Sequence, residues 1–139
     1  MVDVDIDVVV VVVGDVVVEV TFDEDSGMLS YKKLDVYRLS IEFLELGFKL
    51  IAHLPKGHSK LVDQLKRAAM SISLNIAEGA GKVSPAEAAH HYAISRGSAM
   101  ECGAILDVLR IANLALSSDL DRGDALLERV VAMLSKMCR

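Results

Sequence analysis

Gln64, Arg67, Ser71, Asn75 and Glu78 recur at α-helical spacing, so one helix face carries amides, a hydroxyl, a guanidinium and a carboxylate. Apolar residues flank this polar stripe on both sides: Leu61, Leu65, Ala68, Ile72 and Ile76 on one, Met70 and Leu74 on the other. A second carboxylate, Glu101, falls in the middle of an apolar stripe formed by Ile94, Gly97, Ala104, Ile105, Val108 and Ala112. A carboxylate so placed has to be paired, neutralised or set at a subunit contact, because burying it alone costs too much. Two chemistries follow. Glu78 and Glu101 could serve as acid and base, with Arg67 or Arg96 holding an anion. The alternative is a buried polar network of Arg67, Ser71, Asn75, Glu78 and Glu101 that fixes helix register and subunit geometry. The second reading is preferred, because no nucleophile, metal cluster or phosphate loop accompanies the carboxylates. Arg96 sits across its helix from Glu101, so Arg67 is the expected partner of Glu101 within one subunit.

Other motifs are weaker. Adjacent helical positions diverge by about 100°, so His90 and His91 cannot share one metal ion, and solvated or packed histidines are expected. Gly79-Ala80-Gly81-Lys82 follows a helical pattern and lacks the spacing of a phosphate loop, so it reads as a helix terminator. No cofactor or metal motif is present, and no catalytic residue is assigned. Cys102 and Cys138 are the only cysteines, neither in a CxxC pair, which suits reduced thiols in a cytoplasmic protein.

The elements that position these residues can be read from periodicity and breakers. Leu34 to Leu54 form the first expected helix, stopped by Pro55. The second runs from a Ser59 cap to Gly79 or Gly81. Ser84-Pro85-Ala86-Glu87 is a capping box opening a third helix that extends to about Leu116. Ser117-Ser118-Asp119 turns the chain into a fourth helix ending near Met137. Short connections between long helices predict an all-α, antiparallel up-down-up-down four-helix bundle.

The first helix carries a narrow charged stripe, Asp35, Arg38, Glu42, Glu45 and Lys49, and two apolar faces. Val36, Leu39, Phe43, Leu46, Leu50 and Leu54 form one; Tyr37, Ile41, Leu44, Phe48 and Ile51 form the other. A monomeric bundle needs one such face, so the second predicts an oligomer interface.

Residues 1–27 differ from the rest. They hold eight acids and no Lys or Arg, leaving twelve acids against fifteen bases in residues 28–139, a body of about +3 within a chain of net charge −5. Val8–Val13 and Val16–Val20 flank Gly14-Asp15, a two-residue hairpin signal. An acidic valine-rich hairpin or mobile tail is expected here, with the bundle beginning at Met28, a candidate natural start. Acids interrupt the apolar run, so neither a secretory signal nor a membrane span fits.

Tyr31-Lys32-Lys33-Leu34-Asp35-Val36-Tyr37, Leu54-Pro55-Lys56, Gln64-Leu65-Lys66-Arg67-Ala68-Ala69, Ser71-Ile72-Ser73-Leu74-Asn75-Ile76-Ala77-Glu78-Gly79 and Arg96-Gly97-Ser98-Ala99 with Glu101 occur in that order. Together they resemble the 23S rRNA intervening-sequence proteins over roughly residues 31–137. The resemblance implies a bacterial protein, a four-helix bundle and a homopentameric ring. The accessory protein of diversity-generating retroelements is similar in fold and binds nucleic acid, but is strongly basic, unlike this chain. For nucleic acid the candidates here are Lys32, Lys33, Lys56, Lys60, Lys66 and Lys82, which a ring would repeat. No aromatic residues are interleaved with them for base stacking. The expected function is that of a non-enzymatic oligomeric interaction or scaffold protein that contacts structured RNA. A nucleic-acid-binding accessory protein and an enzyme using Glu78 and Glu101 are the alternatives.

Overall fold

A computed structural model describes residues 6–23 and 29–139. Two antiparallel strands, β1 (Ile6–Val13) and β2 (Val16–Asp23), precede a 3-10 turn at Ser30–Lys33 and four helices: α1 (Asp35–Ala52), α2 (Ser59–Ala80), α3 (Pro85–Ile111) and α4 (Ser117–Met137). Each helix packs on its neighbours in the order α1–α2, α2–α3, α3–α4 and α4–α1, which closes the expected four-helix bundle.

The core follows the apolar stripes. Phe43 and Leu46 of α1, Leu65, Ile72 and Ile76 of α2, Leu106 and Leu109 of α3, and Leu120, Val130 and Leu134 of α4 are almost wholly buried. Small residues let α1 and α2 approach closely: a Cβ on Gly47 would stand 3.7 Å from that of Ala69. Near this crossing Ser73 Oγ donates to Ser40 Oγ at 2.9 Å, and Ser40 Oγ donates to the Tyr37 carbonyl at 2.6 Å. Both serines are buried and satisfied, so neither carries the cost of an orphaned polar group. On the far side of α2, Ser95 Oγ of α3 donates to the Ile72 carbonyl at 2.8 Å.

The Ser59 cap expected for α2 does not form: Ser59 is the first helical residue, and His58 holds the cap position without a side-chain bond. Ser84 Oγ accepts from the Glu87 amide at 3.4 Å and Pro85 occupies the first turn, as a capping box requires. The third helix, however, stops at Ile111, short of the expected Leu116. Asn113 adopts the left-handed conformation (φ 55°), its amide bonds to the Arg110 carbonyl, and the Leu114 amide bonds to the Leu109 carbonyl. This is a Schellman termination with Asn in the position usually held by Gly. Ser117-Ser118-Asp119, expected to be the turn, instead forms the first turn of α4.

The hairpin is built on Gly14-Asp15, with Gly14 at φ 62° as a tight two-residue turn demands. It is not a free tail: β1 lies along α1. Val12 and Gly14 border a cavity with Glu45, Leu46, Lys49, Ala52 and His53 of α1 and Arg122 of α4. Met28 lies outside the described residues. The second apolar face of α1, Tyr37, Ile41, Leu44, Phe48 and Ile51, is half-buried throughout. Tyr37 meets Tyr31 of the 3-10 turn edge to face, ring centroids 4.7 Å apart. Part of that face is therefore covered by the chain's own N-terminal residues.

Gly79 lies within α2, and its service is steric. A Cβ there would sit 2.7 Å from Tyr92 Cε1 and 3.2 Å from the Ala88 carbonyl oxygen. Gly79→Ala should lower stability by about 1–2 kcal/mol, overpacking outweighing the helix-propensity gain of alanine. Urea unfolding of the variant checks this; an equal or greater midpoint would contradict it.

Candidate functional site

The seam between α2 and α3 is pinned at three levels. Ser71 and Ser98 hydroxyls lie 2.8 Å apart, Ser95 bonds to the Ile72 carbonyl, and His91 Nδ1 lies 3.2 Å from Asn75 Oδ1. These contacts set which side chains stand opposite one another on the two antiparallel helices. Outside the seam lies an open groove of about 650 Å³, lined by Gln64, Arg67, Ala68, Met70, Ser71, Leu74, Asn75, Glu78, Ser98 and Glu101. The polar stripe and Glu101 thus share one surface feature.

Burial of that stripe is where expectation and structure part. Arg67, Glu78 and Glu101 are exposed, and only Ser71 and Asn75 are half-buried. Arg67 and Glu101 form no ion pair with one another within the chain. Their positions explain why. Both stand at the groove's rim, where water solvates each charge at little cost and an exposed pair would add little. Helical periodicity correctly put the stripe at the edge of the apolar face; it could not tell a groove from a core. Arg96 points the other way, its Nε donating to Ser135 Oγ of α4 at 2.8 Å.

Within the groove the hydrogen bonds run in one direction. Asn75 Nδ2 donates to the Ser71 carbonyl at 2.9 Å and to Ser71 Oγ at 3.1 Å. Ser98 Oγ donates to the Ile94 carbonyl at 3.1 Å, which leaves it to accept from Ser71 Oγ. Asn75 Oδ1 is thereby the acceptor for His91, so His91 carries its proton on Nδ1. His91 Nε2 then faces Glu78 Oε1 at 3.7 Å, with Lys82 Nζ 4.0 Å from the same oxygen. His91, whose side chain is 17% exposed, is packed, one of the two expected alternatives, and it joins the polar stripe, to which the sequence alone did not assign it. Its signal was the helical spacing of His91 to Ser95 and Ser98, which shares a face with Ile94. His90 is exposed, and its ring centroid lies 5.7 Å from that of His91.

The two carboxylates open onto the same groove but not onto the same point. Glu78 lies seven residues above Ser71 on α2, and Glu101 three residues below Ser98 on the antiparallel α3. At 1.5 Å per residue the two levels differ by about 15 Å. Carboxylate pairs that share one reacting bond stand within about 10 Å. Around the groove the surface is apolar: Met70, Leu74 (61% exposed), Ile94 and Val108 are all open to solvent.

The lysines do not gather beside it. Lys32 and Lys33 belong to the end where α1 starts, and Lys82 follows the end of α2, which is the same end of the bundle. Lys56 and Lys60 lie at the opposite end, where α1 stops and α2 begins, with Lys66 two turns further along α2.

Glu101 also bears on its neighbour in sequence. Cys102 is fully buried, and its thiol is pushed up to about 12, first by burial and then by the Glu101 charge. A thiol above its ordinary value stays protonated and unreactive at neutral pH. Native protein at pH 8 should therefore react with a thiol reagent at the half-buried Cys138 while Cys102 reacts only after denaturation. Mass mapping of the labelled peptides would refute this if Cys102 were modified in the native state.

No described helix is long and apolar enough to cross a membrane. No single curated protein matches the chain closely. The model of one family, 23S rRNA-intervening sequence protein, matches residues 32–136, from the 3-10 turn to the last turn of α4. That span holds the whole bundle core, the seam and the groove, and the chain belongs to the 23S rRNA-intervening sequence protein family.

Proposed function

We propose that this protein is a non-enzymatic assembly subunit whose α2–α3 face is a contact surface between copies. The observation that carries this reading is the apolar surface around the groove. Met70 and Leu74 of α2 and Ile94 and Val108 of α3 are left open, Leu74 at 61%. Soluble monomers seldom leave a continuous patch of this kind uncovered. The groove at its centre supplies polar groups that fix register, as expected of an interface whose charged residues lie at the rim.

The partner face in the next copy is the flank of α1 bearing Tyr37, Ile41, Leu44, Phe48 and Ile51. Two unlike faces on one subunit make a head-to-tail contact, which closes into a ring when the rotation allows. Five copies is the number implied by the sequence resemblance. In such a ring Arg67 and Glu101 at the groove rim meet side chains of the neighbouring copy. The separation of Glu78 from Glu101 argues against an acid–base pair. Light scattering at micromolar concentration should give a mass several times 15.0 kDa, and Leu74→Glu should lower it to two subunits or fewer without loss of helical circular dichroism. A wild-type protein of one subunit's mass would sink the reading.

Contact with structured RNA is the accompanying proposal, and it depends on assembly. Basic residues at both ends of a single bundle, with a body charge of about +3, make a weak site on their own. Repetition around a ring strengthens it by raising effective concentration. Full-length protein should be retained by immobilised structured RNA at low salt and released as salt rises, with Lys56→Glu/Lys60→Glu retained less. Absence of retention at low salt would exclude this part of the proposal and leave the assembly reading standing.

A further inference from the structure

The hairpin lies outside the residues matched by the family, and it carries an interaction surface of its own. β1 packs along α1, whereas β2 touches only β1 and the 3-10 turn, so the outer edge of β2 stands away from the helices. No third strand joins the sheet among the described residues. Val16, Val17 (61% exposed) and Val18 are open, as are Val8, Val10 and Val12 on the strand beside them. An unpaired edge of this composition is a template for another strand, and natural edges are usually blunted by Lys, Pro or a bulge. Val16–Val20 contains none of the three, and its one charge is Glu19.

From this edge we infer that two copies of the chain pair β2 against β2, antiparallel, to form a four-stranded sheet. The register follows from the turn. A two-residue loop makes Val13 and Val16 a hydrogen-bonded pair, so Val16, Val18 and Val20 direct their backbone groups to β1. Val17 and Glu19 then direct theirs outward. Outward residues must pair with outward residues, which leaves two central registers. One sets Glu19 opposite the second copy's Glu19, and like charges directly opposed are disfavoured. The other sets Val18 opposite the second copy's Val18, with Val17 opposite Glu19 and Val16 opposite Val20. That register sets no like charges directly opposite, buries valine against valine, and is its own complement about a twofold axis. A second copy is the fitting occupant for that reason: the edge matches itself.

The pairing is independent of the contact proposed for the α2–α3 face, and the two are separable by experiment. Val17→Pro removes an outward amide while leaving the amides bonded to β1. In purified full-length protein it should halve the mass measured by light scattering, whatever oligomer the helical body forms. Val18→Cys provides a second measurement that does not depend on how the proline is tolerated. The facing α-carbons of a non-hydrogen-bonded pair lie about 4.5 Å apart, inside disulfide range. Val17→Cys would place its two copies on a diagonal of about 7–8 Å, outside it. Under mild oxidation Val18→Cys should cross-link at least about tenfold faster than Val17→Cys, with wild-type Cys138 as background. Equal cross-linking at the two positions, an unchanged mass for Val17→Pro, or open-ended growth in place of pairs would each overturn the inference.

Discussion

Everything in the bundle depends on how closely α2 can lie between α1 and α3. On one side Gly47 and Ala69 remove bulk, and Ser73 reaches Ser40. On the other, Ser95 reaches the carbonyl of Ile72, the residue directly before Ser73. Each contact replaces a large side chain by a small one whose single polar group is satisfied. The cost of buried polarity is thereby removed, and the gain is register, since each hydroxyl has one acceptor within reach. With α2 held at both sides, Leu65, Ile72 and Ile76 are buried without residual exposure. The α2–α3 groove sits above the same seam and inherits its rigidity. Ion pairs add little by comparison: Lys49–Asp119 ties α4 to α1, and Arg110 with Asp121 and Asp124 ties it to α3, all at partly exposed positions.

How much could be read from the chain depended on the range of the interaction involved. Helix existence, the four-fold alternation and the capping box at Ser84 are set by residues within a turn or two of each other, and they are where periodicity put them. The end of α3 was legible in principle. Asn113 followed by Leu114 is a left-handed termination with its apolar contact, but the serine-rich run after it is the louder turn signal. Gly79 looked like a terminator because the ring it accommodates, Tyr92, lies on another helix.

The site was legible as a set of residues and not as an environment. Gln64, Arg67, Ser71, Asn75, Glu78 and Glu101 do come together around one groove. Whether that groove is inside or outside depends on the angular position of α3 beside α2, which no single-helix projection contains. α3 itself is the hardest to read, because apolar residues surround it: Ile105 and Leu109 point in, while Ile94, Val108 and Ile111 point out. A helix apolar on both sides offers no single stripe by which a projection can orient it.

Among the residues whose burial is described, every buried apolar residue, from Val36 to Leu134, belongs to the four helices. The bundle is thus closed, in the packing sense, before its first segment is counted. A fold arranged in this way lets one end of the chain vary freely in composition. Selection on the core and selection on the N-terminal ribbon act on different residues, so the ribbon can be gained, altered or lost without renegotiating the fold beneath it.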